Sequence, residues 1–234
     1  SGGADAARFS IVAATGVLAF VAAPDFETPT DAGANNVYDV VVQVSDGAGG
    51  TDTQAIAVTV TAANEPPAIT SNGGGATAST NATENQAAVT TVTAVDPDVG
   101  AVLTFSIAAG LDGAFFQVDP TSGVLTFVAP PDFEAPGDGN GDNVYDVVVA
   151  VSDGAGGQDT QTIQVTVVDV NEPPRITSNG GGATAAVTVG ESNPAVTTVT
   201  AVGPEPSDVL TYSIVGGADA TAFFVDATTG ELSF

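Results

Sequence analysis

Asp132 and Glu134 flank Phe133, so in an extended segment both carboxylates point to one side and the ring to the other. Asp96 and Asp98 stand around Pro97 in the same way. Asp169, Asn171 and Glu172 lie immediately before Pro173-Pro174, Asp153 directly follows an apolar alternating run, and Glu84 precedes Asn85. Acids gathered like this repel one another. The chain has 28 Asp and Glu against two basic residues, Arg8 and Arg175, so only protons or metal ions are available to offset them. Carboxylates mixed with amide and backbone oxygens, in a chain without His or Cys, suit a hard cation such as Ca²⁺. A single Asp at a turn is accounted for by an Asx-turn. The joint pattern of linker, Asp-x-Glu and Asp-x-Asp is what points to calcium.

The same composition removes other chemistries. A formal charge of −26 leaves nothing to neutralise phosphates, which argues against nucleic acid as a partner and against anionic membranes. No disulfide, Cys/His zinc site, His- or Cys-based triad or Lys Schiff base can be built from these residues. Carboxylate-pair chemistry of the glycosidase kind is the main enzymatic route left. With the acids placed at linkers and no Trp to form a sugar platform, the chain reads as a non-enzyme. No apolar run reaches the roughly 20 residues of a membrane span, so no membrane insertion is expected within this segment.

The elements that must position the acids repeat along the chain. Asn64-Glu65-Pro66-Pro67 returns as Asn171-Glu172-Pro173-Pro174, a shift of 171 − 64 = 107. Asp25-Phe26-Glu27 returns as Asp132-Phe133-Glu134, and Val37-Tyr38-Asp39-Val40 as Val144-Tyr145-Asp146-Val147, at the same shift. A unit of this length has the size of an immunoglobulin-like sandwich, about 100 residues. The Pro-Pro pairs stiffen the chain and lack donors, so unit boundaries are expected there. The expected units are 1–64, the closing part of a first repeat; 65–172, a complete second repeat; and 173–234, the opening part of a third.

Alternation at period two supplies the strands. Tyr145, Val147, Val149 and Val151 share one face, as do Ile163, Val165 and Val167, with the turn Asp153-Gly154-Ala155-Gly156-Gly157 between them. Leu103, Phe105 and Ile107 form another inward face. Phe116 and Val118 precede a turn at Pro120-Thr121-Ser122-Gly123, and Val124 to Phe127 follow it. Val89, Val92 and Val95 are assigned to one Thr-rich strand, and a short strand is placed near Ile69. The expected fold is all-β: tandem seven-stranded Greek-key immunoglobulin-like sandwiches arranged end to end.

These residues together resemble the cadherin repeat. Asp169-Val170-Asn171-Glu172-Pro173-Pro174 is similar to the family's Asp-x-Asn-Asp-Asn-x-Pro linker, Asp132-Phe133-Glu134 to its Asp-Arg-Glu, Glu84-Asn85 to its Glu-Asn, and Asp96-Pro97-Asp98 to its Asp-x-Asp. Tyr145 to Asp153 is similar to its Tyr-x-Leu-x-Val-x-Ala-x-Asp strand, and Thr121-Ser122-Gly123-Val124 to its Thr-Gly-x-Ile turn. The wording Val-Ser-Asp-Gly-Ala-Gly-Gly and the lack of Lys look more like bacterial cadherin-like adhesin repeats than animal cadherins.

The resemblance implies calcium shared between consecutive repeats, rigidifying an extracellular rod of a large cell-surface adhesin or structural protein. Its partners would be other repeats of the same long chain or identical neighbouring chains. Carried over, the first junction would use Asp25, Glu27, Asn64, Glu65, Asp96, Asp98 and Asp153. The second would use Glu84, Asp132, Glu134, Asp169, Asn171 and Glu172. Ala62 stands where Asp169 stands one repeat later, so the first linker is expected to lack a carboxylate; Gly203 and Glu205 replace Asp96 and Asp98, so the second junction is expected to hold fewer or weaker ions. The alternative is a filament or matrix subunit whose terminal half-repeats are completed by neighbouring chains. Asp138-Gly139-Asn140-Gly141-Asp142 has the opening spacing of an EF-hand loop, but its twelfth position is Val149, so it reads as a loop.

Overall fold

The computed structural model describes residues 2–108 and 112–234, and it is all-β, with only single-turn 3₁₀ segments between strands. Among the described residues no helix is long and apolar enough to cross a membrane. The first stretch carries β1 (Phe9–Ile11), β2 (Leu18–Phe20), β3 (Val37–Ser45) and β4 (Thr51–Thr59). β1 pairs with β2, and β3 with β4, both antiparallel.

The central stretch follows with β5 (Ala68–Ile69), β6 (Thr77–Thr83), β7 (Ala88–Thr91), β8 (Ala94–Val95) and β9 (Thr104–Ile107). It continues with β10 (Phe116–Val118), β11 (Val124–Phe127), β12 (Val144–Ser152) and β13 (Gln158–Val168). One sheet has the order β6-β13-β12-β9 and the other β10-β11-β7. β5 pairs with β8. Taking the broken pairs β5/β6 and β7/β8 as one strand each gives the seven strands of the expected sandwich.

The core forms as the alternation requires. Every second residue of β12, from Tyr145 to Val151, is buried, and so are Ile163, Val165 and Val167 of β13. They meet Val92, Phe105, Phe116, Leu125 and Phe127 from the rest of the sandwich. Phe116 stacks on Phe127 at 4.5 Å between ring centres, and Tyr145 meets Phe127 edge-on at 5.3 Å. Phe9, Phe20 and Tyr38 make the same arrangement one repeat earlier, at 4.6 Å and 5.1 Å. The sequence repeat is therefore a structural one.

One strand expectation needs correction, and one strand was not anticipated. Val89, Val92 and Val95 do not share a strand. Their spacing of three cannot keep one face of a period-two element, and the chain resolves this by breaking into β7 and β8. Val92 is buried at the break, while Val95 is 57% exposed. The unanticipated strand is β6. Its Thr-Ala-Ser-Thr-Asn-Ala-Thr sequence carries little apolar signal, yet it pairs in parallel with β13 from Thr77↔Thr162 to Thr83↔Val168.

After the second Pro-Pro pair come β14 (Arg175–Ile176), β15 (Ala195–Thr198), β16 (Ala201–Val202), β17 (Phe224–Val225) and β18 (Glu231–Ser233). They reproduce β5, β7, β8, β10 and β11 in order and pairing. Residues 184–190 and 211–214, the counterparts of β6 and β9, are not strands.

Gly123 shows how a turn residue fixes the pairing of β7 in the β10-β11-β7 sheet. Its φ is +69°, the left-handed region, and a Cβ there would overlap the Val92 carbonyl oxygen. The Val92 N–H donates to the Gly123 carbonyl at 2.8 Å, so the turn and the β7/β8 break fix each other. Gly123→Ala is expected to destabilise the fold by about 3 kcal/mol, combining left-handed strain with a backbone clash. Urea unfolding of the variant checks this. A loss below about 1 kcal/mol, the cost of ordinary glycine entropy alone, would mean the turn relaxes.

Candidate metal centre

The acids are carried by strand ends and by the segments joining the sandwiches. At the first junction, carboxylate oxygens of Glu27, Glu65 and Asp98 lie within 4.8 Å of one another. Glu27 comes from the loop after β2, where Asp25 Oδ1 accepts the Glu27 and Thr28 N–H groups, each at 2.9 Å. Glu65 comes from the linker, and its N–H donates to Asp98 Oδ2 at 2.9 Å. Asp96 Oδ1 accepts the Asp98 N–H at 2.9 Å.

The turn after β12 completes this junction. Asp153 Oδ1 accepts the Ala155, Gly156 and Gly157 N–H groups at 2.7, 3.0 and 3.0 Å, while its Oδ2 receives Asn64 Nδ2 at 2.8 Å. Gly157 approaches the linker so closely that a Cβ would stand 2.8 Å from the Cα of Pro66. These hydrogen bonds, the Asn64 amide first, hold the Asp153 carboxyl below its ordinary range.

The second junction has two such groups sharing one residue: Glu84, Glu134 and Glu172, and Glu134, Asp169 and Glu205. Glu84 stands just after β6 and is 1% exposed. Its Oε1 accepts the Val170 N–H at 2.6 Å and its Oε2 the Phe133 N–H at 2.9 Å, so one side chain ties strand end, loop and linker together. Asp132 Oδ1 accepts the Glu134 and Ala135 N–H groups at 3.0 and 3.1 Å, repeating the Asp25 turn. Glu205 Oε1 accepts the Glu172 N–H at 3.0 Å, as Asp98 does for Glu65. Asn85 Nδ2 donates to Glu172 Oε1, and Asn171 Nδ2 to the Glu172 carbonyl at 3.3 Å.

The electrostatics report crowding. Burial pushes the Glu134 carboxyl up to about 7, with repulsion from Glu84 and Glu205 adding to it. Asp169 is raised by burial and then by Glu205 and Glu84. Glu172 is raised by burial and by Glu84 and Glu205, against the lowering effect of Asn85. At the first junction Glu65 is raised by burial and by Glu27, Asp98, Asp25 and Asp96. In addition Glu65 Oε2, Asp96 Oδ2, Glu134 Oε1 and Glu172 Oε2 are buried with no hydrogen-bond partner. A buried anionic oxygen without a donor is costly. Oxygens arranged this way fit a bound hard cation and fit little else that this composition offers.

Of the predicted residues, the structure gathers Glu27, Glu65, Asp98, Glu84, Glu134, Asp169 and Glu172 into the three tight groups. Asp25, Asp96, Asn64 and Asp153 border the first junction, and Asp132 and Asn171 the second, outside those groups. Glu205 was missed as a site residue. The signal was present, because Glu205 is an acid standing one full repeat after the acid Asp98. Glu205 joins the group of Glu134 and Asp169 as Asp98 joins that of Glu27 and Glu65.

The 138–142 stretch closes as a loop, as expected. Asp138 accepts the Asp142 and Asn143 N–H groups at 3.0 and 3.2 Å, and Asp142 accepts the Val144 N–H at 3.0 Å. Its carboxylates are used by its own backbone.

Comparison with known proteins places this geometry. The cadherin domain model matches residues 78–168. Human Protocadherin beta-1 is 37% identical over 94 residues, covering 38% of this chain and 11% of that protein. Mouse Cadherin EGF LAG seven-pass G-type receptor 2 is 32% identical over 151 residues, covering 62% of this chain and 5% of that protein. The chain therefore spans only a small part of these relatives. Among solved structures, human CDH23 EC21-23 superposes with a TM-score of 0.57 at 18% identity, covering 97% of this chain and 70% of that one. Mouse Protocadherin-24 EC1-3 superposes with a TM-score of 0.52 at 20% identity, covering 100% and 74%. At these identities the two structures speak for the fold, and the sequence matches speak for the family. Residues 78–168 thus match a cadherin domain, and the fold is that of tandem cadherin-like repeats.

Proposed function

We propose that this chain is an extracellular, calcium-rigidified repeat segment of a large cell-surface adhesin or structural protein, and not an enzyme. The observation that carries the reading is the set of buried, unpartnered carboxylate oxygens at both junctions, where two of the three acid groups draw from both sides of a Pro-Pro linker. Glu27, Glu65, Asp96 and Asp98, bordered by Asp25, Asn64 and Asp153, would hold ions at the first junction. Glu84, Glu134, Asp169, Glu172 and Glu205, bordered by Asp132 and Asn171, would hold them at the second. Bound calcium supplies positive charge that cancels the repulsion, so each linker becomes a fixed joint. The repeats then divide at the linkers, into 1–64, 65–172 and 173–234.

The surface location follows from the kinship with cadherin-type proteins and from millimolar calcium outside cells, which suits modules with dissociation constants of about 10⁻⁴ to 10⁻³ M. The relatives above are animal proteins. The bacterial-type reading rests on the near absence of Lys and Arg and on the Val-Ser-Asp-Gly-Ala-Gly-Gly turn. Partners are other repeats of the same chain or identical neighbours.

Calorimetric calcium titration together with small-angle scattering of this chain tests the proposal. Calcium is expected to bind at millimolar concentration or tighter and to lengthen and stiffen the particle relative to chelator. Identical scattering in chelator and calcium would sink the rod reading. A mass that grows with concentration would favour the filament in which neighbouring chains complete one another.

A further inference from the structure

Gly203 stands one full repeat after Asp96, so the second junction lacks a carboxylate that the first one has. The space is nevertheless filled. A Cβ built on Gly203 would lie 2.6 Å from both Cβ and Cγ of Asp208, and it would overlap the Asp208 Oδ2. The Asp208 side chain thus occupies the volume where residue 203 would carry its own.

The exchange is reciprocal. Asp208 stands one full repeat after Ala101. The first junction has Asp at 96 and Ala at 101; the second has Gly at 203 and Asp at 208. The turn that makes the exchange possible is present in both repeats: the Ala101 N–H donates to the Asp98 carbonyl at 3.2 Å, and the Asp208 N–H to the Glu205 carbonyl at 3.1 Å. This turn folds the later residue back beside the earlier one. In one repeat the small Ala101 leaves room for the Asp96 carboxylate, and in the other the missing side chain of Gly203 admits that of Asp208.

The filled position borders the linker. Asp208 lines one cavity with Asn171 and Glu172. At the same junction Glu205 is 9% exposed, and Glu134 Oε1 and Glu172 Oε2 are buried without partners. We infer that Asp208 is a cation ligand of the second junction, supplying from the far side of the turn the carboxylate lost at Gly203. The inference rests on the calcium reading above. With Glu205 in place of Asp98, Asp208 takes the part of Asp96, so the two acids that the first junction draws from the Asp96–Asp98 stretch are matched at the second, and its affinity is not reduced as the aligned positions alone suggest.

The experiment is calcium titration by calorimetry on the full chain and on two variants, Asp208→Ala and the swap Gly203→Asp with Asp208→Ala. Asp208 is exposed, so neither variant threatens the sandwich, and circular dichroism in chelator checks this. Loss of one charged ligand is expected to weaken the affected site about tenfold, and the swap is expected to restore it. Binding by the parent chain that Asp208→Ala leaves unchanged would overturn the inference while leaving the calcium reading intact. No calcium binding by the parent chain would overturn both.

Discussion

Replacing Glu84 by alanine is expected to destabilise the chain by about 4 kcal/mol, because two charge-assisted hydrogen bonds at roughly 1.5–3 kcal/mol each are lost together. Glu84 is buried, and its two oxygens receive the Val170 and Phe133 N–H groups, which the variant leaves without acceptors. Those donors belong to the linker and to the Asp132–Glu134 loop, so the variant also frees the two segments that carry Glu134, Asp169 and Glu172. Glu84→Gln keeps the shape and one good acceptor while turning its amide toward the other donor, so an intermediate loss is expected. Urea unfolding in chelator reads the hydrogen-bond effect apart from any ion. A loss below about 1 kcal/mol for the alanine variant would mean that water satisfies both donors and that Glu84 serves only as a ligand.

Calcium is expected to raise stability by about 2.7 kcal/mol for each site at a hundredfold excess over its dissociation constant, and the gain should depend on pH. Glu134, with its carboxyl pushed by burial up to about 7 from an ordinary 4.5, sets the window. Between those values the folded chain without calcium holds a proton that the unfolded chain has released. Lowering the pH through the window therefore favours the fold, and raising it through 7 removes that support. Asp169, Glu172 and Glu65 are raised in the same direction.

A bound ion replaces those protons, so the stabilisation by calcium should widen as pH rises and shrink as protons compete. The lowered Asp residues, among them Asp119 and Asp226, work the opposite way, losing stability only as pH falls below the ordinary Asp range. The two trends separate by pH. Thermal unfolding in chelator and in about 10 mM calcium, at about pH 5.5 and about pH 8, checks the sign, since extracellular sites of this affinity are nearly saturated there. An equal calcium effect at both values would mean that the ion does not displace these protons.

The parts of the fold that were legible in the sequence are those with a strong period. β12 and β13 announce themselves through Tyr145 to Val151 and Ile163 to Val167, because both present one apolar face to a closed core. β6 does not, since an edge strand that buries mainly Ala82 needs no large apolar residue. Its parallel pairing also depends on a partner at the far end of the domain, a non-local contact no local pattern contains. The three-residue spacing of Val89, Val92 and Val95 was itself a sign of a break.

The site was legible wherever an acid recurred at the repeat's own shift. It was obscured where chemistry was kept and the residue was not. Glu205 keeps the charge of Asp98 on a longer arm, and Asp208 reaches the place of Gly203 through a turn. Position-by-position comparison sees a loss there, and only coordinates show the space refilled.

The parallel pairing of β6 with β13 has a mechanical consequence. The first long strand of the cadherin domain and its last run side by side in the same direction, with seven residue pairs from Thr77↔Thr162 to Thr83↔Val168. Tension applied along the chain pulls β6 toward one pole of the sandwich and β13 toward the other. The slanted bonds of the ladder are then loaded in shear, all at once, and cannot be peeled apart one after another as in a hairpin pulled from its open end. Glu84 and the acids beside it sit at the pole where β13 passes into the linker, so ions held there would clamp the ladder at the point where the load enters.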